Sequence, residues 1–375
     1  MDLSEGTLST RPATPRKRFM ASGSSRGLRF WRRTMLSLGM AAVAVGVAGA
    51  ASAGAKSSTV NIEGHAINVG NGKLKIALFL NGTNDAYALA LEHGAQAEAK
   101  KLGVSLTVLD GADNVQTQTD QMQQALTQGY NAWGFQAVSQ STCSLVKKAI
   151  SKGILISVFN EQICTSAEAS GLKAYLPGTL NFIAGDETPT AFTDWLDKVK
   201  DANPGPQDVL LVVGIPGLTQ TIATEAAAAK IEKSDPQFKI TTLQIADYGL
   251  PGAHTAVQAR LNADKKVTII AGNYSDMTQG AVLAATQAKL KVGGAHGIKV
   301  YDMGASSWAI NAVKNGTVQL TAPFLPYTET QLAVQSLYNA WHGKGIGKRY
   351  VDVLATLKGS PFITKANVGS FKAEY

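Results

Sequence analysis

Clusters of amides, carboxylates, hydroxyls and aromatic rings recur along this chain, each directly after a short apolar run. They are Asn81-Gly82-Thr83-Asn84-Asp85-Ala86-Tyr87, Gln136-Ala137-Val138-Ser139, Phe159-Asn160-Glu161, residues 215–221, Asp247-Tyr248, Asn273-Tyr274-Ser275-Asp276 and Asp302-Met303. Amides and carboxylates supply directional hydrogen bonds and rings supply π faces for C–H surface, which is what a hydroxyl-rich, non-ionic molecule needs. Any single Asn, Asp or Ser is equally at home in a turn or a helix cap; the recurrence is what points to a ligand. No catalytic constellation accompanies the clusters. His65, His93, His254, His296 and His342 are scattered without H-x-x-x-H or H-E-x-x-H spacing, and two cysteines are too few for a structural zinc. Neither phosphate-loop pattern occurs, and no G-x-S-x-G elbow follows any of the apolar runs. The residues therefore point to binding, with no catalytic residue, no metal and no cofactor.

The frame for these clusters is legible in the hydrophobic pattern. The 375 residues are 45% hydrophobic and 17% charged, a composition of globular α/β type that excludes long disordered tracts. Apolar runs at 74–80, 105–109, 132–138 and 154–159 read as strands, and the stretches 85–102, 115–128 and 142–152 between them read as helices. Such alternation makes a parallel sheet covered on both faces. It restarts with strands at 181–185, 208–213, 239–246, 268–271 and 299–302, separated by helices centred on Trp195, Ala227, Val257 and Leu283. An amphipathic helix at 329–342 and a tail at 351–357 and 362–363 follow. Two similar lobes in tandem are expected, and parallel sheets bind ligands at the carboxyl ends of their strands.

The formal charge of +8 suggests nucleic acid until it is located. Residues 1–53 hold eight Lys and Arg against Asp2 and Glu5, so the rest of the chain is nearly balanced and nucleic-acid binding loses its support. The same segment has a basic stretch, an apolar run from Met35 to Ala50 and Ala51-Ser52-Ala53, the pattern of an export signal cleaved near Ala53. Arg32-Arg33 followed by Met35-Leu36 is twin-arginine-like, although Trp31 departs from that motif and the general route stays open. Residues 54–73 read as a linker or small hairpin. In an oxidising compartment, Cys143 and Cys164 are expected to form a disulfide.

The stretch LKIALFLNGTNDAYALALEHGAQAEAKKLGVSLTVLDGADNVQTQTDQMQQAL resembles the opening of periplasmic sugar-binding proteins of ABC importers, of the ribose-binding type, and the resemblance runs from Leu74 to about Val368. It implies the type I fold: two α/β lobes, each a parallel sheet flanked by helices, joined by a three-crossing hinge with the cleft between them. Lobe 1 would be residues 74–181 plus about 325–350, and lobe 2 residues 182–324 plus about 351–375. Carried over by position, the ligand residues would be Asn84, Tyr87, Gln136, Asn160, Glu161, Tyr248, Asn273 or Tyr274, Asp302 and Phe324. Glu161 stands where the family often has Arg, and Thr221 to Thr224 replace a second Arg, with Thr224 the candidate ligand contact there. The implied function is capture of a sugar or polyol in the periplasm by a monomer that delivers it to a membrane permease. A sensor role, an amino sugar or other cationic ligand, and an exported α/β enzyme are the alternatives.

Overall fold

The computed structural model describes residues 58–164, 176–185, 189–246 and 248–375. The expected export leader at 1–53, the linker start at 54–57 and Asp247 lie outside the described residues. The described chain opens with a hairpin, β1 (Ser58–Ile62) and β2 (His65–Val69), paired antiparallel. Glu63 and Gly64 turn it with φ of 51° and 89°, the two-residue geometry that matches right-handed strand twist. Ile62, Ile67 and Val69 are fully buried, so the hairpin is part of the core. Glu63 pins it down, pairing with Arg349 at 2.9 Å and accepting the Gly178 N–H at 3.2 Å.

The first lobe then alternates: β3 (Lys75–Leu80), α1 (Ala86–Leu102), β4 (Ser105–Asp110), α2 (Val115–Ala125), β5 (Ala132–Phe135), α3 (Cys143–Ser151), β6 (Leu155–Phe159) and β7 (Asn181–Ala184). The second contains α4 (Pro189–Asp201), β8 (Gln207–Val213), α5 (Thr219–Ser234), β9 (Phe238–Gln244), α6 (Leu250–Ala263), β10 (Ile269–Gly272), α7 (Ser275–Gln287), β11 (Lys299–Gly304), α8 (Ser307–Asn315) and β12 (Leu320–Pro323). The chain ends with α9 (Pro326–Trp341), β13 (Tyr350–Asp352) and β14 (Ile363–Thr364). Caps start the helices where the sequence supplies them: Asp85 accepts from Ala88 N–H at 2.7 Å and Asn114 from Thr117 N–H at 3.0 Å.

Two six-stranded sheets result, ordered β13-β7-β6-β5-β3-β4 and β14-β12-β11-β10-β8-β9. Every pairing in the first is parallel; in the second only β14 runs antiparallel, against β12. β5, β6, β7, β10 and β12 are buried along their whole length, as sheets covered on both faces require. The chain passes between lobes after β7, after β12 and after β13. Because β7 and β13 pair in the first sheet, Phe182 to Ala184 and Val351-Asp352, expected in lobe 2, belong to lobe 1. α8 and β12 are missing from the sequence expectation. The helix has nine residues, and the four-residue strand ends in Pro323, a residue that normally argues against a strand.

Cys143 and Cys164 form a disulfide with Cα atoms 5.2 Å apart, joining the start of α3 to the loop after β6. Gln140 Nε2 donates to Gln162 O at 2.6 Å and ties the same two loops. The bridge spans 21 residues, a loop whose closure is worth about 3 kcal/mol on chain-entropy grounds. Chemical denaturation of the Cys143→Ser/Cys164→Ser protein is expected to show a loss of about that size; a midpoint equal to the parent's would contradict it.

Candidate functional site

The carboxyl ends of β3, β5 and β6 carry the floor of a cavity of about 580 Å³. β5 stops at Phe135, shorter than the run to 138 suggested; the Gln136 N–H still donates to Phe79 O at 3.0 Å, and its side chain serves this floor. Its Oε1 accepts the Asn81 N–H at 3.1 Å, and its Nε2 donates to Asn160 Oδ1 at 2.7 Å. Asn160, at a left-handed φ of 60° that Asn tolerates, donates through Nδ2 to the Tyr87 hydroxyl at 2.7 Å. The Tyr87 hydroxyl in turn donates to Glu329 Oε2 at 3.4 Å, at the first turn of α9. Buried Gln118 braces the loop from behind, donating to Gln136 O and accepting the Val138 N–H, both at 2.9 Å.

The opposing wall comes from the ends of β8, β9, β10 and β12. Tyr248 sits at φ 52°, unusual for a bulky residue, with its ring over Gly214, where a Cβ would collide with it. Tyr274 meets Tyr248 edge-on at 5.6 Å and Tyr87 at 6.2 Å, and lies nearly parallel to Phe324 at 6.4 Å. Its hydroxyl donates to Asp85 Oδ2 at 3.3 Å, so the two lobes touch across the cavity. Asn273 donates to Thr224 Oγ1 at 3.2 Å; its Oδ1 is buried without a hydrogen-bond donor among the described residues.

The sequence-predicted residues Asn84, Tyr87, Gln136, Asn160, Glu161, Tyr248, Asn273, Tyr274 and Phe324 all line this cavity. Thr224 and Asp302 do not. Thr224 lies inside α5, fully buried behind Asn273, and its hydroxyl is spent on Gln220 O at 2.7 Å. Asp302 lies within β11, which runs two residues further than expected; its Oδ2 accepts from Ser275 Oγ at 3.0 Å and Thr321 Oγ1 at 2.6 Å. Sequence reasoning passed over Asp113 and Val115 as lining residues. The signal for Asp113 was its place after β4, an edge position equivalent to the others.

Asp85, Asp113 and Glu161 face the cavity, and no Lys or Arg among the described residues lines it. Burial, more than neighbouring Asp85 and Asp110, raises the Asp113 carboxyl above the usual range, although the Asn84 amide at 3.0 Å opposes the shift. Asp276 is raised by burial and then by Asp85. The Tyr274 hydroxyl is raised well above its ordinary value, by burial first and then by Tyr375, Asp85 and Asp276. Both arginines of the described chain are engaged elsewhere, Arg349 with Glu63 and Arg260 with Asp264 at 3.6 Å. A second cavity of about 230 Å³ lies on the other side of Phe324, against Met303, Pro323 and Phe362.

A family model described as a periplasmic binding protein domain matches residues 76–345. The ribose import binding protein of Bacillus subtilis (strain 168) is 23% identical over 283 residues, covering 75% of this chain and 86% of that protein. Among solved structures, the Caulobacter myo-inositol binding protein bound to myo-inositol superposes with a TM-score of 0.68 at 20% identity, over 79% of this chain and 95% of that one. An ABC transporter solute binding protein from Mycobacterium smegmatis with bound glycerol gives 0.67 at 20% identity, over 80% and 96%. At these identities the structures bear on the fold, and in all of it the two-lobed α/β architecture is shared.

Fully buried Asp302 gives a pH signature. Burial raises its carboxyl from 3.8 to about 7 in the folded protein, only partly offset by the Thr321 and Ser275 hydroxyls. A carboxyl raised on folding stabilises when protonated, so its contribution is complete below pH 3.8 and is lost as pH climbs to about 7. Relative to Asp302→Asn, which does not titrate, the parent should lose stability across that window, with a slope of at most about 1.4 kcal/mol per pH unit. Urea midpoints of both proteins from pH 4 to 8 check this, and parallel curves would refute it.

Proposed function

The chain belongs to the periplasmic binding protein family, a family of solute-binding proteins, and from that premise we propose that it captures a small neutral polar solute, a sugar or polyol, outside the inner membrane and hands it to an ABC importer. The observation that carries this reading is the composition of the cavity wall: amides from both lobes, carboxylates from the first, three tyrosines and a phenylalanine, and no cation among the described residues. Asn84, Gln136, Asn160 and Asn273 would hold hydroxyls, with the undonated Asn273 Oδ1 accepting one of them. Tyr248, Tyr274 and Tyr87 would cover the C–H faces. Solute contacts made only when both lobes are present favour lobe closure over opening. On this reading no bond is broken, and the protein works as an exported periplasmic monomer with a cleaved leader.

A buried anion would face Asp85, Asp113 and Glu161 with no compensating cation among the described residues, which costs several kcal/mol, more than a few hydrogen bonds return. Sugar acids, sugar phosphates and acidic amino acids should therefore be rejected. The same carboxylates favour a second ligand class, the amino sugars, whose ammonium they would pair.

A thermal-shift screen across neutral, cationic and anionic solutes tests the charge rule; stabilisation by anionic compounds alone would refute it. For the rings, Tyr248→Ala is the cleaner variant, because Tyr87 is buried in the core and its loss also breaks the floor hydrogen bonds. Calorimetry on Tyr248→Ala should show binding weakened by about 1–3 kcal/mol. Unchanged affinity would move the solute away from this wall.

A further inference from the structure

Two adjacent residues, Glu374 and Tyr375, are tied to different lobes. The Glu374 carboxylate accepts the Thr328 N–H at 3.1 Å and the Thr328 hydroxyl, in the first turn of α9. α9 packs on α1, β5 and β6 in the first lobe. The Tyr375 carbonyl accepts the Ser307 N–H at 2.7 Å and the Ser307 hydroxyl at 2.9 Å, in the first turn of α8. α8 packs on β12 and α7 in the second lobe. Anchored on both sides, the Tyr375 ring is held between the lobes. It meets Tyr87 edge-on at 5.5 Å and lies within 12° of parallel to Tyr274 at 6.5 Å. Tyr87 and Tyr274 line the cavity, and Tyr375 stands behind them. Its hydroxyl end reaches the close of β11 at Gly304, where a Cβ would run into it. A side chain at that position is excluded by this approach as well as by a φ of 129°.

We propose that Tyr375 is a positioning residue for the ligand cavity, a clasp whose ring contacts Tyr87 of the first lobe and Tyr274 of the second at once and so holds the two rings, and with them the two lobes, together at a fixed separation. A rigid ring does this at low entropic cost, since packing on both sides fixes its two torsions. The ring also explains why consecutive residues cap helices of opposite lobes: the two caps fix where the clasp sits. The inference concerns lobe spacing and does not depend on which solute fills the cavity.

Small-angle scattering from the full chain without added solute, on the parent, Tyr375→Phe and Tyr375→Ala, tests the proposal. The phenylalanine variant keeps the ring and should reproduce the parent's radius of gyration. The alanine variant should give a larger one, because the inter-lobe ring contacts are gone. If Tyr375→Ala does not fold, Tyr375→Leu, a smaller apolar plug, is expected to fold and to show the same increase. A folded alanine or leucine variant with the parent's scattering overturns the proposal. So does a phenylalanine variant that opens like alanine, since the hydroxyl and not the ring would then be responsible.

Discussion

A buried amide left without a partner costs about 1–3 kcal/mol, and the floor of this cavity holds two of them side by side. Gln136 and Asn160 are 1% and 3% exposed, and each satisfies the other: Gln136 donates to Asn160, and Asn160 passes its own donor to Tyr87. The Asn81 N–H closes one end of the chain of bonds and Glu329 the other. Every member comes from a different segment, the ends of β3, β5 and β6 and the starts of α1 and α9. The floor can therefore be dry and polar only if those segments keep their register, and it fixes the Tyr87 ring from which the aromatic wall extends into the second lobe.

Electrostatics follows from the same geometry. Parallel strands send their carboxyl-end loops to one edge, and two sheets that meet at that edge enclose the loops between them. The acids gathered there have few cations to answer them, because Arg349 is drawn to the hairpin at Glu63 and Arg260 to the end of its own helix at Asp264. Asp113 and Asp276 are raised by burial first, and the neighbouring carboxylates add to it. On the proposed reading, such a site offers acceptors to hydroxyl and ammonium donors and repels anions.

Much of this was legible in the sequence. The period of apolar runs and helical stretches gave both sheets, and the polar cluster after each run gave most of the cavity wall, because strand ends in parallel sheets share an edge. The failures have local causes. Side chains alternate faces along a strand, so a strand that continues two residues past its expected end turns Asp302 from a wall residue into a buried one. Thr224 follows a strand end in sequence but lies a full turn into α5, where its side chain backs Asn273. β12 hid behind Pro323, and the Glu374-Tyr375 bridge carries no periodic signal, since its effect depends on α8 and α9 starting at the right places. The Cys143–Cys164 pairing was accessible because the compartment and an even count left one choice.

Native mass spectrometry of the purified chain, sprayed directly from the cell extract conditions in which it was made and then offered a panel of sugars and polyols, bears most directly on the central claim. The account predicts one small neutral polyhydroxylated molecule per chain, either carried through purification or taken up from the panel, and released unchanged. A molecule that is released chemically altered, or a chain that takes up no sugar or polyol while retaining an anionic solute, would contradict it.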